Sequence, residues 1–281
     1  LNIIQNFNTF DYFPFQPEFE ILSDYYIEYK QRNSDHSTTL FYQFKINRDL
    51  MNPMSVIPDG CIDILFYCDP DSPSADVCGS VLKYKTINFQ ANCEYFGVRF
   101  LPKQETQHFK YSMKEVINRQ IPLADMVKIG PTIMERLIKE RDFRRRIKLF
   151  KEEIGINIFA CNELPAIIEY SLDKIYSSKG NVNMNQLAAE TGYSTRYLRK
   201  QFDAHVGMPP KLFSQIVRFQ NSLHMLLNKR AFTVWDVINE NGYFDQSHLI
   251  NEFKKFGYMT PNEFINAVSG NCQTQYNVID I

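Results

Sequence analysis

The feature that most constrains this chain is an internal repeat in its last hundred residues. One copy reads Leu187-Ala188-Ala189-Glu190-Thr191-Gly192-Tyr193-Ser194, then Leu198, Phe202, Gly207, Pro210 and Phe213. The other reads Val237-Ile238-Asn239-Glu240-Asn241-Gly242-Tyr243, then Leu249, Phe253, Gly257, Pro261 and Phe264, with the same Phe-to-Pro and Pro-to-Phe spacings. Such self-similarity means one supersecondary unit used twice. Each unit reads as a short helix ending at Gly-Tyr, a turn, and a second helix with Leu and Phe on one face.

A helix-turn-helix asks for this pattern. Ala188 lets the first helix approach the second, Gly192 takes the strained turn, and Leu198 locks the second helix. Ser194-Thr195 and Asp245-Gln246-Ser247 are suited to cap the second helices. The N-terminal residues and amides of those helices would meet base edges and phosphates. Between the units, Phe213, Ile216, Val217, Phe219, Leu223 and Leu226 form an apolar stripe. That helix is expected to be a core strut that sets two reading heads about one duplex turn apart.

Leu187-Ala188, Gly192-Tyr193-Ser194, Leu198, Phe202, Gly207-Met208-Pro209-Pro210, Arg218, Val237, Gly242-Tyr243, Asp245, Ser247, Leu249, Phe253-Lys254-Lys255 and Thr260-Pro261 carry a resemblance. From about Glu163 to Val268 the chain resembles the DNA-binding domain of AraC/XylS-type transcriptional regulators. The resemblance implies base-facing positions at Arg196, Arg199 and Lys200 in the first recognition helix and at Gln246, Ser247 and Asn251 in the second. Ser194, Thr195, Asp245 and Lys254 complete the candidate DNA contacts. The chemistry agrees, since Arg suits bidentate contact with guanine, Lys donates to guanine or phosphate, and Gln or Asn pairs with adenine. The second unit departs from the family in having Ile238 for alanine, Asn251 for a frequent arginine, and Gly257 one place early with Tyr258 at the usual glycine position. A looser second reader, or one with different base preference, is the expectation.

The charge balance limits how such a domain would bind. The 281 residues carry 31 Lys and Arg against 32 Asp and Glu, a formal charge of −1, so no broad basic field exists. Between Asn181 and Val268 nine basic residues, Lys229 and Arg230 among them, face seven acidic ones. A margin of two predicts modest non-specific affinity and a shallow salt slope.

Up to about Asp125 the pattern differs, with aromatic and β-branched runs at Tyr25–Tyr29, Leu40–Ile46, Cys61–Tyr67, Tyr84–Phe89 and Tyr95–Leu101 between turn clusters such as Pro58-Asp59-Gly60 and Asp69–Ser74. Val56–Leu65 and Gly97–Pro102 are similar to the β-rich N-terminal domains of one AraC-type subgroup, with Lys103 in place of a common glycine. Asp59 reads as a turn cap, and Asp63 beside Arg99 as an inter-strand ion pair. From Pro131 onward Ile133, Leu137, Phe143, Ile147, Phe150 and Ile154 recur at helical spacings beside Arg144-Arg145-Arg146. The basic run reads as a solvated helix face, and the apolar stripe as either packing on the chain's own domains or a dimer contact.

Other chemistry finds little support. Only His36 and His108 precede the linker, without a His-x-His pair, so a catalytic metal of the cupin type is not expected. The cysteines Cys61, Cys68, Cys78, Cys93, Cys161 and Cys272 lack Cys-x-x-Cys spacing and read as reduced thiols in small apolar roles. No catalytic-triad order, phosphate loop or paired-carboxylate motif is present. No apolar run approaches the ~20 residues of a membrane span, and the first residues lack a secretory pattern.

The expectation is an α+β multidomain chain: a β-rich, cupin-like barrel over residues 1–125 acting as a regulatory or sensor domain, a helical linker over 126–162, an all-α DNA-binding domain with two helix-turn-helix units over 163–268, and a tail over 269–281. It would act in the cytoplasm as a sequence-specific transcriptional regulator with double-stranded DNA as partner, without catalysis, cofactor, metal or membrane. RNA polymerase, a small-molecule effector and a second copy of the chain stay open as further partners. The competing reading is a ligand-binding or enzymatic cupin-like protein whose helical repeat mediates protein contacts.

Overall fold

The structure is a computed structural model, and it describes residues 12, 14–33, 38–46, 53–69, 71–102, 110–155, 158, 164–227, 232–270 and 276–278. His36, Lys103, His108, Cys161, Glu163, Lys229, Arg230 and Cys272 lie outside them.

Helix α1 (Pro17–Ile21) leads into β1 (Ser23–Arg32) and β2 (Thr38–Ile46), followed by β3 (Met54–Val56), β4 (Ile62–Tyr67), β5 (Ser74–Cys78), β6 (Lys85–Ile87) and β7 (Glu94–Phe100). Then come α2 (Met113–Val116), β8 (Gln120–Pro122), α3 (Leu123–Met126), α4 (Pro131–Lys139), α5 (Phe143–Leu149) and a π-helical turn (Phe150–Gly155). The helical part holds α6 (Ala166–Ser177), α7 (Met184–Thr191), α8 (Thr195–His205), α9 (Pro210–Leu227), α10 (Val234–Glu240), α11 (Gln246–Gly257) and α12 (Pro261–Gly270), and the last described element is β9 (Tyr276–Val278).

The main sheet has seven strands in the order β8-β5-β4-β7-β2-β1-β9, antiparallel except where β9 pairs parallel to β1. It does not close into the expected barrel. Strands β8 and β9 are its two edges, while β3 and β6 form a separate two-stranded ribbon. The reason lies in what covers each face. Side chains alternate across a strand, so Phe41, Ile64, Phe66, Phe96 and Val98 point one way and Leu40, Tyr42, Phe44, Leu65 and Tyr95 the other. The first set packs under Leu123, Leu137, Phe143, Ile147, Phe150 and Ile154, and the second under Phe19 and Met54. With both faces buried against other elements, closure is not needed to complete a core.

The apolar stripe beyond Pro131 is therefore spent on the chain's own sheet. Its basic run is only partly solvated, which corrects the sequence expectation. Arg144 and Arg145 are exposed, but the Arg146 side chain is 1% exposed, and it donates to Gln43 Oε1 and Glu94 Oε1, both at 2.6 Å. A buried guanidinium needs such partners. The strand expected at Tyr84–Phe89 shrinks to Lys85–Ile87, and β5 begins where a turn cluster was expected to end.

A third core joins the two halves. Tyr12, Ile57, Cys61 and Leu101 pack with Ile175, Tyr176, Phe213 and Ile216. Tyr12 stacks on Tyr176 with ring centroids 5.0 Å apart and donates its hydroxyl to the Asp59 carbonyl at 2.9 Å. Gln220, fully buried on α9, donates to the Pro58 carbonyl at 2.8 Å and accepts from the Phe15 amide at 2.8 Å. Gly60 lies so close to the Phe213 ring that a Cβ there would meet it at 2.6 Å.

Candidate nucleic-acid interface

In the first unit, Asn183 caps α7 by accepting from the Asn185 and Gln186 amides, and the helix ends at Gly192 with φ +73°. That left-handed turn is the one glycine takes at no steric cost. Ser194 caps α8 by accepting from the Tyr197 amide at 3.2 Å, and Leu198 and Phe202 are buried in the helical core. The opposite stripe of α8 is exposed over its N-terminal part. Thr195, Arg196, Arg199 and Lys200 are all exposed. Tyr193 and Tyr197, also exposed, stack with centroids 4.8 Å apart.

The second unit repeats this frame. Thr233 and Asp236 form a reciprocal capping box at the start of α10. Gly242 turns the chain at φ +67°, and Asp245 caps α11 by accepting from the His248 amide at 2.7 Å. Leu249, Phe253 and Phe256 face inward, while Gln246, Ser247, Asn251 and Lys254 are exposed. All ten candidate DNA contacts thus lie on the surface, at or along the two second helices of the repeat. Ser194 and Asp245 spend a side-chain oxygen on their own helix amides, so they position the helix tips.

Within the protein, the second helix of this unit is firmly held. Glu252, on the inner side of α11, accepts from Arg218 of α9 through both oxygens, at 2.9 and 2.5 Å. The Tyr243 hydroxyl donates to Glu252 at 3.0 Å and lies 3.0 Å from Ser222 Oγ. Burial works against the Arg218 charge, but the bond to Glu252 and its charge outweigh this and hold the guanidinium proton more firmly than usual. A satisfied, bidentate pair of this kind fixes geometry. At the far end of α11, Tyr258, which stands where relatives usually have glycine, adopts φ +60°, and its exposed ring stacks on Tyr84 at 5.2 Å.

One surface residue escaped the sequence reading. Phe244 is 90% exposed and stands between the Gly242-Tyr243 turn and the Asp245 cap. The signal was there: glycine to leucine is six residues from Gly192 to Leu198 and seven from Gly242 to Leu249. Phe244 is the additional residue in the second turn, so an apolar ring sits at the tip of the second recognition helix.

The β-rich half holds a separate polar cluster. Arg99 pairs with Asp63 at 2.9 Å and with Asp59 at 3.5 Å, and the Tyr42 hydroxyl donates to Asp63 at 2.9 Å. Asp59 also caps the turn by accepting from the Cys61 amide at 2.9 Å. Burial pushes the Asp63 carboxyl up, against the pull of Arg99, and pushes the Cys61 thiol up as well. These groups border a hollow of about 60 Å³ that Phe19, Cys78 and Lys85 also line. Cys61, Cys68, Cys78 and Cys93 are free thiols. Among the described residues no group of three His, Cys, Asp or Glu side chains is placed to hold a metal ion, and no helix is long and apolar enough to cross a membrane.

Comparison with known proteins matches residues 187–267 to a family described as a helix-turn-helix domain, and residues 38–122 to a domain of unknown function, DUF6597. No curated protein matches the chain. Among solved structures it is similar to ToxT from Vibrio cholerae at 1.65 Å resolution, with 10% identity over 81% of this chain and 97% of that one and a TM-score of 0.44. An apo ToxT variant from strain SCE256 gives 12% identity over 85% and 99% with a TM-score of 0.45. Wild-type ToxT with an unsaturated fatty acid bound gives 12% over 88% and 95% with a TM-score of 0.41. The helical repeat over residues 187–267 is thus a helix-turn-helix domain of the AraC type, joined in one chain to the DUF6597 domain of residues 38–122.

Proposed function

We propose that the protein is a sequence-specific transcriptional regulator whose helices α8 and α11 read adjacent major-groove segments of double-stranded DNA. One observation carries this reading: both units leave the N-terminal tip and one stripe of the second helix exposed, and put base-pairing chemistry there. Arg196, Arg199 and Lys200 would read guanine or phosphate, and Gln246 and Asn251 adenine. Ser247 and Lys254 would add a base or phosphate contact, and Phe244 offers an apolar ring to a thymine methyl group. Binding, rather than catalysis, is the activity.

The β-rich half is read as the modulating domain. In support, the Pro58–Cys61 turn borders the polar hollow on one side and touches α9 through Pro58, Gly60 and Cys61 on the other. A ligand that prised Asp59 from Arg99 would act on the loop against which the strut is seated.

Selection of bound duplexes from a random library tests the main reading. Enrichment of two short half-sites about one helical turn apart is the expected result. Binding that is salt-sensitive but blind to sequence would overturn it. A thermal-shift screen of metabolites tests the modulating domain, since a ligand bound only by the folded state raises the midpoint.

A further inference from the structure

Arg196, Arg199 and Lys200 line one open hollow of about 410 Å³, and its opposite wall comes from the other half of the molecule. That wall is Ser112 and Lys114, at the start of α2. Asp203 and Ala204, further along α8, complete the lining. Packing seats α2 against the end of α8. Gly207 has φ +82°, and a Cβ there would meet the Met113 carbonyl oxygen at 2.8 Å and the Ile117 side chain at 3.0 Å. The Lys114 ammonium lies 3.8 Å from the Asp203 carboxylate, with 69% of its side chain exposed. Four cations and one carboxylate therefore share a single concavity, and the net positive lining concentrates anions.

From this geometry we infer that the hollow is a seat for the DNA backbone, with Lys114 of the β-rich half donating to a phosphate that flanks the bases read by α8. The inference rests on the reading of α8 as a DNA reader. Arg196, Arg199, Lys200 and Asp203 fall on one stripe of the helix, at the spacing that brings side chains above one another. The stripe thus ends in a charge that repels phosphate. Lys114 answers it by offsetting Asp203 and by placing an ammonium, a mobile point charge suited to phosphate, beside the groove. A contact built to hold α8 away from DNA would bury and pair the reading cations. Instead Arg196, Arg199 and Lys200 are exposed, and among the described residues no ion pair holds them. The pair that does cross the hollow, Lys114 with Asp203, is of the solvent-exposed kind that is worth little.

The test uses the full chain and two duplexes, one carrying the selected site and one of random sequence, titrated over a range of salt. Lys114→Gln is expected to weaken binding to both about three- to tenfold and to reduce the slope of log affinity against log salt by about 0.9, the loss of one phosphate contact, with base preferences unchanged. Lys114→Arg, which keeps the charge, should stay near wild type. Unchanged affinity and slope for Lys114→Gln would overturn the inference. So would tighter binding, which would make α2 a clamp on α8. Arg199→Ala keeps the two readings apart. If it erases preference at one base while Lys114→Gln has no effect, the reader stands and the phosphate seat falls. If the wild type selects no sequence, the reader falls, and the salt slope on random duplex still decides whether Lys114 meets phosphate.

Discussion

In the first helix-turn-helix unit the turn tyrosine, Tyr193, lies in solvent against Tyr197, while its counterpart in the second, Tyr243, is buried against Glu252 and Ser222. The same pair of positions in one sequence frame serves two different purposes. In the second unit α11 is pinned to the strut α9 by a charged network centred on Arg218 and Glu252. The first is seated by apolar packing of Leu198 and Phe202 and by contact of its far end with α2. A repeat preserves the fold of a unit without preserving what holds it. The β-rich half touches the end of the first unit through α2 and touches the strut α9 through Pro58, Gly60 and Cys61.

Arg218→Ala is expected to make the largest difference between the units. It leaves the Glu252 carboxylate buried without its counter-charge and with only the Tyr243 hydroxyl to bond, a loss of about 3 kcal/mol. In hydrogen exchange α11 should lose protection while α8 keeps it, and equal losses in both would dissolve the contrast. Next, Arg199→Ala should cost about 2 kcal/mol of discrimination at a single base of the first half-site, seen by comparing affinities for single-base variants of the selected duplex. A uniform loss on every sequence would mean that Arg199 holds phosphate. Gly207→Ala should destabilise by about 1–2 kcal/mol in denaturant melts, because alanine at positive φ is strained, and the Met113 carbonyl leaves its Cβ no room. Smaller again is Phe244→Ala, expected to lose about 0.8 kcal/mol at one thymine of the second half-site, the worth of one buried methyl. Replacing that thymine by uracil should weaken wild type by the same amount and leave the variant unaffected. Tyr258→Gly should fall within about 0.5 kcal/mol of wild type, since relief of the left-handed backbone offsets the lost stack on Tyr84. A large loss there would mean that the second unit, too, depends on the β-rich half.

The helical half was legible because a local pattern states it. Gly192, Gly242 and the apolar residues at helical spacing are short-range signals, and the caps Ser194 and Asp245 act within three residues. Strands β1, β2, β4 and β7 were legible for the same reason, through alternation in aromatic-rich runs. What the sequence hid depends on partners far along the chain. Arg146 looked solvated beside two other arginines, and only the placement of Gln43 and Glu94 makes it a buried link. The barrel expectation failed because closure depends on which strands become edges, a long-range property. The cationic hollow at Lys114 is of the same kind, since Lys114 and Arg196 are 82 residues apart in the chain.

The short pairing of β9 with β1 sets a limit on motion. The DNA-binding domain leaves the β-rich half before α6 and returns to it at Tyr276–Val278, in register with Tyr26–Glu28. It is therefore moored at both ends, like a gangway tied to one quay fore and aft. A large swing of the helical half has to slip or unzip a three-residue parallel ladder and bare the long edge of β1, which is an invitation to pair with another chain. Together with the core in which Tyr12 meets Tyr176 and Phe213, the ladder ties the two halves at two places and opposes their separation.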